Sequence, residues 1–596
     1  MNKPFDTLSD AIKHWAQVKP TSPALKAPGA EDLSYAMLKQ QLESSAEQLT
    51  ELGYGADHRL ALVLPQSILL ASCLLTLGST CAVFPVTASL TVPELVKAFK
   101  KADVSAVLVA AAGSDDARAA AAEAGVPVIE LDTAGGNPSG CYTLSGAPAL
   151  APSSTPMQPD TTAFLISTSG TTGTGKLVPI TNRMFANVIA VKSEKVRITE
   201  HDVTLLTGPL NLISAISSTM FPVIYRGGCV VIDTPYDILK YMAHIEHYQP
   251  AWIDVSAPLL HAIYHHLAVH PADAAMKRMR FIRVGGAPFP AEMMRTLEES
   301  LGIPVIHAYG MTEGLSGFTS NPLPPGVRKH ESVGQVVHGE IALFSDQGTQ
   351  LQFTEIGELA IRSPLIFKGY FNPEDNIPSP FMDGWFLTGD IASVDSDGYI
   401  TIVGRRKDMI NSGGLKILPN EVEEVLMLHS DVADACVVPL SHPTLGEQVA
   451  AAVARRSEVL RVNDLVAYLQ TRLAAYKIPT IIHFVDQIPR NSYGKLQRQQ
   501  VAEQLTILSG VTNTAKNMSD LEAKVLLLWQ EVLGITDIAP DASFLPIGGD
   551  SITAVRLASR ISETFGIHFA VLDVFDFSTV LGQAAEIDRR HKATII

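Results

Sequence analysis

Cysteine is scarce in this chain of 596 residues: five are present, Cys73, Cys81, Cys141, Cys229 and Cys436, with no CxxC spacing. That scatter excludes a disulfide framework or a zinc ribbon and fits a reducing, cytoplasmic setting. It also leaves no evident thiol nucleophile, so any thioester chemistry must take its sulfur from elsewhere. A basic surplus is lacking too. The net charge is −16 and no long basic stripe occurs, which excludes a general nucleic-acid binder. No apolar run reads as a membrane span. The most apolar stretch, Leu60 to Val86, is broken by Pro65, Gln66, Ser67, Ser72 and Ser79, and reads as a buried strand followed by a buried helix. The first residues, Met1 to Asp6, lack a signal-peptide core. No internal repeat is evident.

What is present is a globular composition, 46% hydrophobic and 18% charged, in a chain too long for one core. From about residue 30 to 400, short apolar strands alternate with amphipathic or Ala-rich segments, an α/β pattern with largely buried sheets. Arg59–Leu64, Ser105–Ala110, Val126–Leu131 and Thr162–Ser167 read as strands, and Ser114–Ala124 as a helix. Residues 134–160, rich in Gly, Pro and Ser, read as a long surface loop. After Gly404-Arg-Arg-Lys-Asp408 the pattern restarts as a smaller α+β unit. The expected division is therefore 1–404, 405–508, a polar linker 509–518 and a helical unit 519–596. In the last unit, Ser519 and Glu522 form a capping-box pattern, and Leu521, Val525, Leu528 and Val532 share one helical face. Gly534 closes that helix, and a second one follows Asp550-Ser551 and stops at Gly566.

Two short stretches carry the chemistry. Residues 167–176, Ser-Thr-Ser-Gly-Thr-Thr-Gly-Thr-Gly-Lys, are dense in hydroxyls and backbone N–H groups and end on one lysine, as a loop that wraps nucleotide phosphates requires. The stretch nearly spells a Walker A loop. However, Leu177 stands where the Mg²⁺-holding hydroxyl belongs, and Pro179 discourages the helix that should follow. A Ser/Thr/Gly run is often a mere linker, but here a buried-type strand leads straight into it. Near the other end, Gly548-Gly-Asp-Ser-Ile552 places Ser551 at a helix start, either as a cap or as an attachment point for a phosphate. His261, His265, His266 and His270 have helical spacing, but no acidic ligand lies suitably near them, so they read as a partly exposed helix face.

The loop Ser169-Gly-Thr-Thr-Gly173, with Gly285-Gly-Ala-Pro288, Tyr309-Gly-Met-Thr-Glu313, Thr388-Gly-Asp390, Gly404-Arg-Arg-Lys-Asp408 and Gly494-Lys495, resembles the adenylate-forming superfamily of acyl-CoA synthetases, nonribosomal peptide synthetase adenylation domains and luciferases. The motifs occur in the family order. The resemblance implies a large α/β core, a smaller mobile subdomain, and ATP and Mg²⁺ as cofactors. It implies that Thr168, Ser169, Gly170, Thr171, Thr172, Gly173 and Lys176 hold the phosphates. Tyr309 would stack on adenine, with Gly285, Gly286, Ala287 and Pro288 on its other face and Gly310 and Met311 beside it. Thr312 would touch the α-phosphate, Glu313 would hold Mg²⁺, Asp390 would accept the ribose hydroxyls, and Arg405 would contact ribose or phosphate. Lys495 would bridge the acid carboxylate and the α-phosphate. Asp408 matches the hinge, and Ser412, Gly413 and Gly414 belong to the face presented for the thioester step.

The unit after residue 519 resembles a peptidyl or acyl carrier, an all-α four-helix bundle with 4′-phosphopantetheine on Ser551. Together the two resemblances imply a stand-alone ligase that activates a carboxylic acid as acyl-AMP and loads it onto its own arm. Its expected partners are a phosphopantetheinyl transferase and a downstream biosynthetic enzyme in trans, with no nucleic acid and no membrane. Free CoA as acceptor, or a silent carrier scaffold, are the alternatives. Intact Lys176, Glu313, Asp390 and Lys495 speak against silence. The acid pocket falls on Ser214, Gly285 and Gly310, or, if the alignment slips, on Asn211. The aspartate that holds an α-ammonium in amino-acid-activating relatives is replaced by Ser214, which points away from ordinary α-amino acids.

Overall fold

The computed structural model describes residues 5–133, 140–168, 175–234, 237–270, 275–442, 445–490, 496–508, 519–535, 538, 540 and 542–594. It divides into two compact units, one of residues 1–388 with 392–402 and the other of residues 389–391 with 403–596.

In the first unit, Leu60–Leu64 is a run of buried apolar residues, too short for a helix and flanked by turn residues, and it forms the strand Arg59–Leu64. Ser67 caps the helix Ile68–Thr76 by accepting from Leu70 N. That helix is apolar all round and accordingly sits inside the core. The strand lies in a seven-stranded sheet, pairing in parallel with Ala82–Thr87 and Ala106–Ala110. The helix Asp115–Ala124 is followed by the next strand, Val128–Asp132. Residues 134–160 are not wholly a loop, because Thr143–Gly146 adds an antiparallel strand to Val128–Asp132. Only Leu144 of that strand is buried, so no alternation announced it in the sequence.

At the other edge of the same sheet, Thr162–Ser167 pairs antiparallel with Leu177–Thr181. A hairpin therefore stands where a Walker loop would need a strand leading into a helix, and Pro179 lies within its second strand.

A nine-stranded sheet carries the parallel neighbours Trp252–Ser256, Phe281–Gly285 and Val305–Tyr309. Their C-terminal ends lie level, with Gly285 beside Ala308. A six-stranded sheet includes Gly357–Arg362, Trp385–Val394 and Ile400–Arg405.

The second unit contains a five-stranded sheet built around the long hairpin Val432–His442 and Gly446–Arg455. Among the described residues its C-terminal part is four helices, Asp520–Leu533, Ser551–Phe565, Val571–Asp576 and Val580–Thr594, packed on Val525, Trp529, Phe544, Leu557, Ile561 and Ile587. Ser519 and Glu522 form the reciprocal capping box, and Gly534 and Gly566 close their helices in the left-handed conformation. Among the described residues no helix is long and apolar enough to cross a membrane.

Candidate functional site

In an open parallel sheet, ligands collect at the carboxyl ends of the strands. Here those ends carry Gly285 and Tyr309. Gly286 follows with φ +82°, a turn that a side chain would strain, and nothing stands within 4 Å of where its Cβ would be. Ala287 and Pro288 continue the turn. The Tyr309 ring is held edge-on by Phe318, 5.1 Å away, and remains half-exposed.

Past Gly310 and Met311, Thr312–Gly314 makes a single 3-10 turn. Leu315 and Ser316 then adopt φ +53° and +59° in succession, which is unusual backbone for residues with side chains. Such strain persists only where the surroundings hold it. Leu315 O accepts from Lys192 Nζ at 2.6 Å and from Ser217 Oγ at 2.5 Å.

Glu313 is oriented from the other side. Tyr370 donates its hydroxyl to Glu313 Oε1 at 2.7 Å, and Phe367 N donates to Glu313 O at 2.9 Å. Burial, and then the Glu313 charge, push the Tyr370 hydroxyl above its usual pKa, so it stays a donor. Lys176 Nζ lies 4.4 Å from the centre of the same tyrosine ring and donates to Asp375 O at 3.0 Å. The neck of the hairpin is closed by Thr168 N on Lys176 O at 2.8 Å and by Lys176 N on Thr168 Oγ1 at 3.0 Å. The structure thus brings Thr168, Lys176 and Glu313 together through Tyr370, a residue the sequence reading missed. Ser169, Gly170, Thr171, Thr172 and Gly173 lie outside the described residues.

Asn211, half-buried, and Ser214, exposed, precede the π-helix Ala215–Met220. π-Helical turns recur at functional sites because they aim side chains off the regular spiral.

In the second unit, Asp390 is nearly buried and Arg405 Nε stands 3.2 Å from its Oδ1. Asp408 ends the 3-10 turn Arg406–Asp408, with Arg498 Nε 3.6 Å from its carboxylate. Gly413 and Gly414, both at positive φ, form the two-residue turn between Ile410–Ser412 and Leu415–Ile417. Lys495 lies outside the described residues, but both flanks of its loop are anchored. Arg490 grips Asp434 with Nη2 at 2.9 Å, and Arg498 grips Glu423 with Nη2 at 2.8 Å and donates to Val437 O at 2.7 Å. Gln497 N donates to Pro489 O at 3.0 Å, closing the loop's base. These anchors were legible in the sequence only as charged residues.

On the carrier, Asp550 rather than Ser551 is the N-cap. Its carboxylate accepts from Thr553 N at 2.7 Å, which holds it below the usual carboxylate pKa. Ser551 is therefore the first helical residue, exposed and not needed as a cap. Ile552 and Val555 beside it are exposed as well, at 72% and 53%.

Known families match the successive parts of this chain. The family model for AMP-binding enzymes matches residues 12–371, that for the AMP-binding enzyme C-terminal domain matches 421–495, and that for the phosphopantetheine attachment site matches 523–587. The chain is 29% identical to an oxalate–CoA ligase of Arabidopsis thaliana over 506 residues, 84% of this chain and 98% of that one. It is 31% identical to a sulfoacetate–CoA ligase of Cupriavidus necator over 503 residues, 83% of this chain and 97% of that one. Among solved structures, o-succinylbenzoate CoA synthetase from Bacillus subtilis in complex with its acyl-adenylate intermediate superposes with a TM-score of 0.72 at 26% identity, covering 85% of this chain and 99% of that one. ATP-bound MatB from Rhodopseudomonas palustris shares the fold, with a TM-score of 0.75 at 24% identity over 84% of this chain and 99% of that one.

Proposed function

Because the chain belongs to the AMP-binding enzyme family and carries a phosphopantetheine attachment domain, we propose that this acid–thiol ligase activates a carboxylic acid with ATP and loads it onto an arm on Ser551. In the first step a carboxylate oxygen bonds to the α-phosphorus and pyrophosphate leaves. Thr168 and Lys176, with the loop between them, hold the departing phosphates, and Thr312 contacts the α-phosphate. Lys495 places an ammonium between carboxylate and phosphate as charge develops. Tyr309 and Gly285–Pro288 enclose the adenine, while Asp390 and Arg405 take the ribose side.

The donor set suits Mg²⁺, a hard cation that prefers oxygen ligands, since Tyr370 fixes one Glu313 oxygen and so orients the carboxylate. Ser551 suits a phosphodiester, standing exposed at a helix start already capped by Asp550. Phosphopantetheine held on Ser551 would supply the thiol acceptor for the activated acyl group, with AMP as the leaving group. A phosphopantetheinyl transferase attaches the arm, and a separate biosynthetic enzyme receives the acid, with Ile552 and Val555 as an apolar footing for both.

The boundaries follow the same reading: core to residue 404, mobile subdomain 405–508 turning at Asp408, linker 509–518, carrier 519–596. Ser412, Gly413 and Gly414 serve the thioester state, and Asn211, Ser214, Gly285 and Gly310 border the acid.

The observation that carries the loading reading is the exposed Ser551, freed from capping by Asp550. A second reading, free CoA as acceptor, is favoured by the activities of the oxalate, sulfoacetate and o-succinylbenzoate relatives, which are CoA ligases or synthetases. The two separate when the phosphopantetheinylated protein receives ATP, Mg²⁺, acid and equimolar free CoA. Loading on the arm supports the first, and acyl-CoA formed with an empty arm supports the second.

A further inference from the structure

Beneath the loop that follows Glu313 lies a buried charge cluster to which adenylate formation gives no task. Arg283 sits on the strand Phe281–Gly285, two residues before Gly285 and on the same face of the sheet. Its Nη1 is 3.4 Å from Asp254 Oδ2 on the paired strand, and Thr219 Oγ1 donates to that same oxygen at 3.3 Å. Lys192, on the helix Asn182–Lys195, donates to Leu315 O and, at 3.2 Å, to Ser217 Oγ. Ser218 Oγ and Ser316 Oγ stand 3.3 Å apart alongside. Lys192 and Arg283 are 5% and 7% exposed.

The charges do not balance. With Lys192 protonated, two buried cations face one carboxylate, and an uncompensated buried charge is costly. Burial, and then the Arg283 charge, push the Lys192 ammonium well below its ordinary pKa, and burial pushes the Asp254 carboxyl up.

A donor is also left over. Arg283 Nε is buried without a partner. Guanidinium is donor-only, so a buried N–H without an acceptor calls for a ligand or a water. A cavity of about 10 Å³, lined in part by Lys192, Ser218, Arg283 and Gly317, lies beside it, with room for about one water until the lining moves. Gly317, at φ +53°, makes room, for a Cβ there would run into Arg283 Nη2.

The cluster also adjoins the acid side of the site. Ser217 and Ser218 lie on the π-helix that Ser214 precedes, Arg283 precedes Gly285 on one strand, and residues 315–317 continue the Thr312–Glu313 turn. We propose that the acid activated by this enzyme carries a second anionic group, a carboxylate or a sulfonate, seated against Arg283 and Ser218 with Lys192 behind them. Such a group supplies the missing negative charge and an acceptor for Arg283 Nε, in the planar geometry a guanidinium favours. Lys192, already bonded to Leu315 O, then couples occupancy of this seat to the strained turn after Glu313. The assignment rests on the proposed acid-activating role of the site.

The test is acid-dependent ATP–pyrophosphate exchange by the full chain with matched acids: oxalate through adipate and 3-sulfopropanoate, against their monomethyl esters, butanoate, octanoate and benzoate. One or more of the dianionic acids is expected to exceed its singly charged partner by about 10²-fold in kcat/KM, as a site with dedicated polar contacts discriminates. Arg283→Gln should erase that preference without changing the KM for ATP, and Arg283→Lys should retain part of it. Equal or better exchange with singly charged acids, or an unchanged preference in Arg283→Gln, overturns the second-anion seat and leaves acid activation standing. Exchange with no acid at all overturns both. Should Arg283→Gln fail to fold, the wild-type ranking decides, together with a rise in wild-type Tm with the preferred dianion but not with its monoester.

Discussion

Tyr370 donates its hydroxyl to Glu313 Oε1 across 2.7 Å, while Lys176 lies 4.4 Å from the centre of the same ring. One aromatic side chain thereby joins Lys176, at the end of the proposed phosphate loop, to the carboxylate proposed to hold Mg²⁺. Removing only the hydroxyl, as Tyr370→Phe, keeps the ring that packs on Phe367 and frees the carboxylate. The Mg²⁺ concentration for half-maximal pyrophosphate exchange should rise about 10-fold, the usual cost of losing an orienting partner. An unchanged Mg²⁺ titration with an unchanged Tm would remove Tyr370 from the account.

Lys495→Ala should abolish acyl-adenylate formation while largely sparing transfer from a pre-formed adenylate. A preorganised charge at a closed site is worth on the order of 10²–10³-fold. Normal pyrophosphate exchange by this variant would remove Lys495 from the reaction.

Asp408→Pro should separate the two half-reactions, since proline fixes φ near −65° and removes a donor at the proposed turning point. Adenylation should survive while loading of the arm falls. Asp408→Ala, which also loses the contact with Arg498 but leaves the backbone free, should keep both activities. Equal loss of adenylation and loading in a folded Asp408→Pro protein would count against a hinge there.

His307 gives the core a pH dependence. Burial pushes its pKa from 6.5 down to about 4, so the imidazole beside the Tyr309 turn is neutral in the native state. The unfolded chain takes up this proton below about 6.5 and the native chain only below about 4. The stability this group contributes is therefore whole above pH 6.5 and is lost as the pH falls toward 4, by up to about 3 kcal/mol. Denaturant unfolding at pH 7 and pH 5 should show a smaller difference for His307→Gln than for the wild type. Equal differences would mean that His307 is not the titrating group.

The regular elements were legible because burial and period agree in them. Arg59–Leu64 and Thr162–Ser167 have the bounds their apolar runs indicate, and the Ser519–Glu522 box and Gly534 mark the first carrier helix at both ends. Thr143–Gly146 was missed because an edge strand with one buried residue carries no alternation. The motif residues were legible as local strings. Their supports were not, since the partners of Glu313 and Leu315 come from Tyr370 and Lys192, 57 and 123 residues away. Likewise Ser551 could be read as a cap until Asp550 was seen in that place.

Loading of Ser551 tests the account most directly. Intact-mass spectrometry of the full chain, incubated with CoA and a phosphopantetheinyl transferase and then with ATP, Mg²⁺ and an acid that supports exchange, should show two additions in turn. The first is the mass of phosphopantetheine and the second that of the acyl group. Ser551→Ala should show neither and keep full pyrophosphate exchange, because adenylation needs no arm. Loading should not depend on protein dilution, since a tethered acceptor is intramolecular. A wild-type arm that stays unacylated while free CoA is acylated efficiently would contradict the account.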